Sequence, residues 1–217
     1  MQRMRLIGML DSPYVRRVAI SLDVLGVPFG HEAVSAFTNL EQFRRINPVV
    51  KAPTLVCDDG GILMDSALIL QYLESTHFPD GSPLWNRDPA LRLLQFRTVS
   101  YASAAADKTV QFVYERNLRP ASAQHEPWLK RVHGQFTAAF AALETLTLAT
   151  NHGPQQEENL SHASIWSAVV WSFAQSMIPA ELPAAHYPQL TRLASQFEAL
   201  PLFQRWPAVG PGVPAAD

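Results

Sequence analysis

The stretch Met4-Arg-Leu-Ile-Gly-Met-Leu10, followed by Asp11-Ser-Pro-Tyr-Val-Arg-Arg-Val-Ala-Ile-Ser-Leu22, changes its hydrophobic period at a serine–proline pair. Residues 4–10 form an apolar run with the length of a buried strand. Beyond Ser12-Pro13 the apolar positions Val15, Val18, Ala19 and Leu22 recur at i, i+3, i+4 and i+7, which is a helical face, and Gly26 supplies its stop. Ser12 has the chemistry of an N-cap and Pro13 that of a first helical residue.

Reading outward, residues 28–34 predict a second strand and 39–46 a short helix that Pro48 ends. Thr54-Leu-Val-Cys57 and Ile62-Leu-Met64 flank the turn-rich Asp58-Asp-Gly-Gly61, the pattern of a tight hairpin. A helix follows from Ser66 to about Thr76. The first 78 residues therefore read β-α-β-α-β-β-α. Residues 79–88, with Pro79, Gly81 and Pro83, read as a linker.

From there on only helices are expected, so 89–217 reads as an all-helical domain. One helix runs from Asp88-Pro89 to about Leu118, and a second from about Glu126 to Thr150, stopping near Gly153-Pro154. Ser161 caps a third that Pro179 ends. It is apolar all round, which argues for burial within the protein, and its serines, Gln175 and Pro179 argue against a membrane span. A last helix carries Leu190, Leu193, Ala194, Phe197 and Leu200 on one face, and the Pro-, Gly- and Ala-rich tail Val209–Asp217 is expected to fray.

The totals narrow the function classes. Seven basic against eight acidic residues in 1–78, and ten against eleven in the remainder, leave no basic face for nucleic acid. Cys57 is the only cysteine, so neither an intrachain disulfide nor a cysteine metal cluster can form. The seven histidines show no paired zinc spacing, and no metal is expected. Met1–Gly8 lacks the apolar core of a signal peptide.

Three segments carry candidate chemistry. Ser12 sits where a helix N-terminus favours an anion; its hydroxyl either caps the helix or donates to a thiolate. Asn47-Pro-Val-Val-Lys51-Ala52-Pro53 brings a proline into a strand. Its Ala52–Pro53 bond is either trans or cis, and the cis form turns the Ala52 backbone outward for pairing with an extended peptide. Asp65-Ser66 opens a helix and either caps it or grips an α-amino-acid head group.

Taken together, in order and spacing, these segments resemble the glutathione site of the cytosolic glutathione S-transferases, the tau-like and related bacterial members in particular. Tyr187-Pro-Gln-Leu-Thr-Arg-Leu and Ala199-Leu-Pro-Leu-Phe-Gln-Arg205 resemble that family's C-terminal helix and the turn after it. The resemblance implies a thioredoxin-like α/β domain followed by a helical domain, a cytoplasmic homodimer, and glutathione as co-substrate without a metal. It implies Ser12 as the thiol-activating hydroxyl and Ala52, before a cis Pro53, as the residue pairing with the cysteinyl unit. Asp65 and Ser66 become the γ-glutamyl grip, and Lys51 the cation near the glycyl carboxylate.

The implied reaction is attack of an activated glutathione thiol on an apolar electrophile, with peroxide reduction open. Arg16 and Arg17 add positive charge, with a solvated-surface role expected for at least one. Ser164 stands where the family usually has aspartate, so a weaker reciprocal cap is expected. Two alternatives stand beside this reading: a non-catalytic binding or regulatory relative, and a thiol–disulfide oxidoreductase. The latter requires a cysteine at position 12, and Cys57, in a strand, reads as a packing residue.

Overall fold

The computed structural model describes residues 4–150 and 160–215. The expected stop at Gly153-Pro154 lies outside them. The chain divides into two compact units, one running up to Trp85 and joined by Pro201–Gly212, the other comprising Asn86–Leu200 and the residues from Val213 on. The stretch 89–217 is thus not one body: its segment Pro201–Gly212 packs with the first unit.

The first unit follows the order β1 (Arg5–Ile7), α1 (Pro13–Val24), β2 (Gly30–Glu32), α2 (Leu40–Ile46), β3 (Thr54–Val56), β4 (Ile62–Met64) and α3 (Ser66–His77). Its four strands lie in the order β2-β1-β3-β4, with β2 parallel to β1 and the other two pairings antiparallel. Ile7, Val34 and Phe43 form a buried cluster that seats α2. Leu6 points to the opposite face by the two-residue alternation of a strand and is also fully buried. Helix α1 packs against α3, burying Val15, Val18, Ala19 and Leu22 from one side and Ile69, Leu70 and Leu73 from the other. Each of the valine, isoleucine and leucine side chains contributes about 1.5–3 kcal/mol by leaving water, and the Ala19 methyl less.

After α3 the chain enters the second unit: α4 (Pro89–Asn117), α5 (Glu126–Thr150), α6 (His162–Met177) and α7 (Pro188–Glu198). Asp88 caps α4 by accepting from the Ala90 and Leu91 amides, both at 2.9 Å. Helix α6 buries residues all round its circumference, Trp166 and Trp171 among them, and packs against α4 and α7. Its cap is a complete reciprocal box. Ser161 Oγ accepts from the Ser164 amide at 3.2 Å, and Ser164 Oγ accepts from the Ser161 amide at 3.0 Å. The Ser164 hydroxyl therefore makes the return bond of the reciprocal cap, which was expected to be weaker with serine at this position.

Two further expectations are corrected. Residues 201–205 form a short helix, α8, and not a turn. The tail does not fray at its start, because the Gly212 amide donates to Asp11 Oδ2 at 2.7 Å. Gly210 lies so close to that carboxylate that a Cβ there would fall 2.1 Å from Asp11 Oδ2. Among the described residues no helix is long and apolar enough to cross a membrane.

Candidate functional site

Strand register brings the three candidate segments to one edge of the sheet. Ile7 pairs with Thr54, and Thr54 with Met64, so β1 and β4 end where β3 begins. Gly8–Ser12, Ala52–Pro53 and Asp65–Ser66 all leave the sheet from that row.

Gly8 sets the closeness of the first two. Its φ is +138°, and a Cβ would come within 2.6 Å of Val15 Cγ2 and 3.1 Å of Ala52 Cβ. Only a residue without a side chain lets the strand end approach both α1 and Ala52. The Gly8 carbonyl also lies 2.8 Å from His31 Nε2; a carbonyl only accepts, so that nitrogen carries the proton.

Ser12 occupies the N-cap position of α1 with extended backbone. Its carbonyl accepts from the Arg16 amide at 3.0 Å, yet its side chain makes no capping hydrogen bond. The first turn of α1 contains no acidic residue, so its positive end is not offset from within the helix. Asp11 next door is held by the Gly212 amide. A half-buried hydroxyl at the uncompensated end of a helix can donate to an anion.

The second segment is braced from inside. Asn47 is buried; its Nδ2 donates to Thr54 Oγ1 at 2.8 Å and its Oδ1 accepts from the Val49 amide at 3.0 Å. Thr54 Oγ1 in turn donates to the Lys51 carbonyl at 2.6 Å. This pair closes the loop around Val50, a β-branched residue in left-handed backbone at φ 53°. The Ala52–Pro53 peptide bond is cis.

Asp65, at φ 76°, does cap its helix: Oδ1 accepts from the Ala67 amide at 2.9 Å and, at 3.4 Å, from Leu68. Its other oxygen lies 3.9 Å from Lys51 Nζ, with the two side chains 47% and 52% exposed. A pair this open contributes between nothing and about 1 kcal/mol, so a ligand can exchange its own charges for either partner at small cost. Ser66 is 5% exposed and accepts from Arg17 Nη1 at 3.5 Å.

The solvated-surface role expected for at least one arginine of α1 is not found, since Arg16 is 2% and Arg17 4% exposed. The C-terminal return buries the first. Arg16 Nε donates to the Trp206 carbonyl at 2.7 Å, and its guanidinium stacks 5.4 Å from the Phe203 ring centroid. Trp206 is itself fixed by its indole N–H to Asp23 Oδ2 at 2.7 Å and by stacking on Phe29. Burial lowers the Arg17 pKa to about 10, against the opposing pull of Asp65, Glu74 and Tyr14. Sequence reasoning missed these burials and the Asn47–Thr54 brace, although the motif containing Asn47 was its second segment.

Cys57 is partly exposed, and burial, then Asp59 and Asp58, raise its pKa. That is the reverse of what a nucleophilic thiolate needs. Among the described residues no group of three or more His, Cys, Asp or Glu side chains gathers as a metal site would require.

Comparison with known proteins bears on the same edge. The glutathione S-transferase N-terminal domain family matches residues 6–81, which span all three segments. A glutathione S-transferase of Methylobacterium radiotolerans, solved in complex with glutathione sulfonate, superposes with a TM-score of 0.81 at 29% identity, covering 100% of this chain and 97% of that one. A glutathione transferase family member from Pseudomonas fluorescens Pf-5, solved with bound glutathione, gives 0.77 at 26% identity over 93% and 97% of the two chains. The uncharacterized GST-like protein YibF of Escherichia coli is 28% identical over 141 residues, 65% of this chain and 68% of its own.

Proposed function

Since this chain belongs to the glutathione S-transferase family, we propose that it binds glutathione at the sheet edge and activates its thiol for attack on an apolar electrophile. The observation that carries the proposal is Ser12: a hydroxyl at the start of α1 that makes no capping bond, on the same edge as the cis Ala52–Pro53 and Asp65–Ser66. In this reading Ala52 pairs backbone to backbone with the cysteinyl unit. Lys51 meets the glycyl carboxylate, while Asp65 and Ser66 take the γ-glutamyl ammonium and carboxylate.

The magnitudes suffice. A free thiol titrates near ~8.5, and lowering that by about two units takes roughly 2.7 kcal/mol of preferential thiolate stabilisation. A hydrogen bond to a charged group contributes about 1.5–3 kcal/mol and a helix terminus about 0.3–1. The thiol proton leaves to solvent. The sulfur lone pair then forms a carbon–sulfur bond, and either a leaving group departs with its electron pair or an enone takes up a proton. Attack on a peroxide by the same thiolate is the alternative use of this site.

A cytoplasmic homodimer is part of the proposal. Leu68 and Tyr72, one turn apart on α3, are exposed, as are Leu91, Leu93, Phe96 and Tyr101 on α4. The exposed leucine–tyrosine pair on α3 favours a protein partner over water, and a second copy is the occupant proposed. The competing reading, a relative that binds without turnover, shares the site and differs only in rate. The test is the ultraviolet absorbance of glutathione bound to the protein against pH, joined to turnover with halo-aromatic, enone and peroxide substrates. A thiolate signal below the free thiol's range with turnover supports the transferase; binding with neither supports the competitor.

A further inference from the structure

We infer that Gly210-Pro211-Gly212 is a clasp on Asp11 that keeps this carboxylate from competing for the positive end of α1, where Ser12 acts. Gly212 is then a positioning residue for thiolate formation, acting through Asp11. The inference rests on the glutathione reading above.

Asp11 directly precedes the N-cap Ser12, the place in the site where a second anion does most harm. Aspartate side chains readily accept from backbone N–H groups a few residues further on, and a like charge nearby disfavours ionisation of a thiol. A loose Asp11 carboxylate would therefore take the donors at the start of α1 and repel the thiolate. Among the described residues no cation pairs with it. Its one hydrogen bond there comes from the Gly212 amide, 201 residues away, at 2.7 Å. An N–H donated to a carboxylate offsets part of its charge and fixes its direction.

Both glycines serve that one contact. At Gly210 a Cβ would fall 2.6 Å from Asp11 Oδ1 and nearer still to Cγ and Oδ2, so a methyl there would occupy the carboxylate's own place. Gly212 has φ +71°, left-handed backbone that glycine adopts without strain. Burial does not explain the segment. Residues 207–211 are all exposed, and the apolar anchoring of the C-terminal return ends with Phe203 on Arg16 and Trp206 on Phe29.

The experiment follows the ultraviolet absorbance of glutathione bound to the full chain against pH. It compares wild type, Gly210→Ala, Asp11→Asn and the double variant. Gly210→Ala displaces the carboxylate and should move the thiolate inflection to higher pH. On the acid side this leaves about three- to tenfold less thiolate, with the same full signal at high pH. Asp11→Asn keeps an acceptor for the Gly212 amide without the charge, so its inflection should lie at the wild-type pH or lower. Adding it to Gly210→Ala should restore the wild-type inflection, which a merely structural tail would not do. If Gly210→Ala fails to fold, Gly212→Pro, which removes the donating N–H, takes its place in the same comparison. An inflection that the clasp variant leaves unmoved, or moves without rescue by Asp11→Asn, overturns the inference and leaves the glutathione reading intact. An Asp11→Asn inflection above that of wild type does the same. Wild type that binds glutathione with an unshifted thiol, or does not bind it, overturns both.

Discussion

Ser12 and Ser66 both stand at helix starts, and the two hydroxyls have different surroundings. Ser66 is buried under Arg17, whereas Ser12 is half-buried and makes no capping bond. Ser12→Ala should therefore leave the fold of α1 nearly unchanged, because there is no cap bond to lose. It should raise the pKa of bound glutathione and slow conjugation by about 10- to 150-fold, the equivalent of one charge-assisted hydrogen bond at ~1.5–3 kcal/mol. Absorbance titration and turnover of the variant check this; a variant matching wild type in both would make Ser12 a bystander. Cys57 gives the complementary prediction. Its raised pKa leaves less thiolate at pH 8 than an ordinary cysteine has, so alkylation by iodoacetamide should be slow and inflect at higher pH. Asp59→Asn should move the inflection down. The fold binds the thiol proton more tightly than the unfolded chain, so this group removes stability as pH climbs past ~8.5. Cys57→Ala should turn over substrate at the wild-type rate, and a large loss would revive the thiol-exchange alternative. From residues 11–17 alone, cap and thiol donor were indistinguishable for Ser12, because both uses need the same residue at the same place.

At the scale of elements, the periodicities were legible and the long-range caps were not. The change of period at Ser12-Pro13 and the turn at Asp58–Gly61 are local signals, and α1 and the β3–β4 hairpin stand where those signals put them. Helix α7 is different. It starts at Pro188 after Tyr187, which offers no side-chain cap. Its free amides are met from α5, where Glu144 accepts from Gln189 at 2.7 Å and Leu190 at 2.9 Å. No window around residue 188 contains that carboxylate. Glu144→Ala should cost about 1–2 kcal/mol, as loss of a cap does, and lower the melting temperature by roughly 2–8 °C. Glu144→Gln should cost less, since the amide oxygen still accepts one bond. Circular dichroism melts of the two variants check the order; equal and negligible losses would mean that water caps α7 as well as Glu144 does.

For the whole molecule, the segment that sequence left loosest is one that completes the first unit. Pro201–Gly212 returns to α1, burying Arg16 under Phe203 and Trp206 and meeting Asp11 through the Gly212 amide. Charged residues on a helix read as solvated, and only this return reveals Arg16 as interior. The site was legible for a related reason of geometry: its residues lie in three short motifs, and a single strand register gathers them. The electrophile was not, since its recognition depends on packing no motif encodes. Sedimentation at micromolar concentration should give the mass of two chains, and Leu68→Glu, placing a charge on the exposed α3 face, should shift it toward one.

The central claim is that glutathione binds at the edge formed by Ser12, Ala52 and Asp65-Ser66. Titration calorimetry with glutathione and with S-methyl-glutathione tests it most directly. The second ligand keeps every proposed peptide contact but has no thiol to ionise. The account predicts that both bind in the millimolar range or tighter and that glutathione alone releases a proton on binding near neutral pH. Failure of either ligand to bind at millimolar concentration would contradict it.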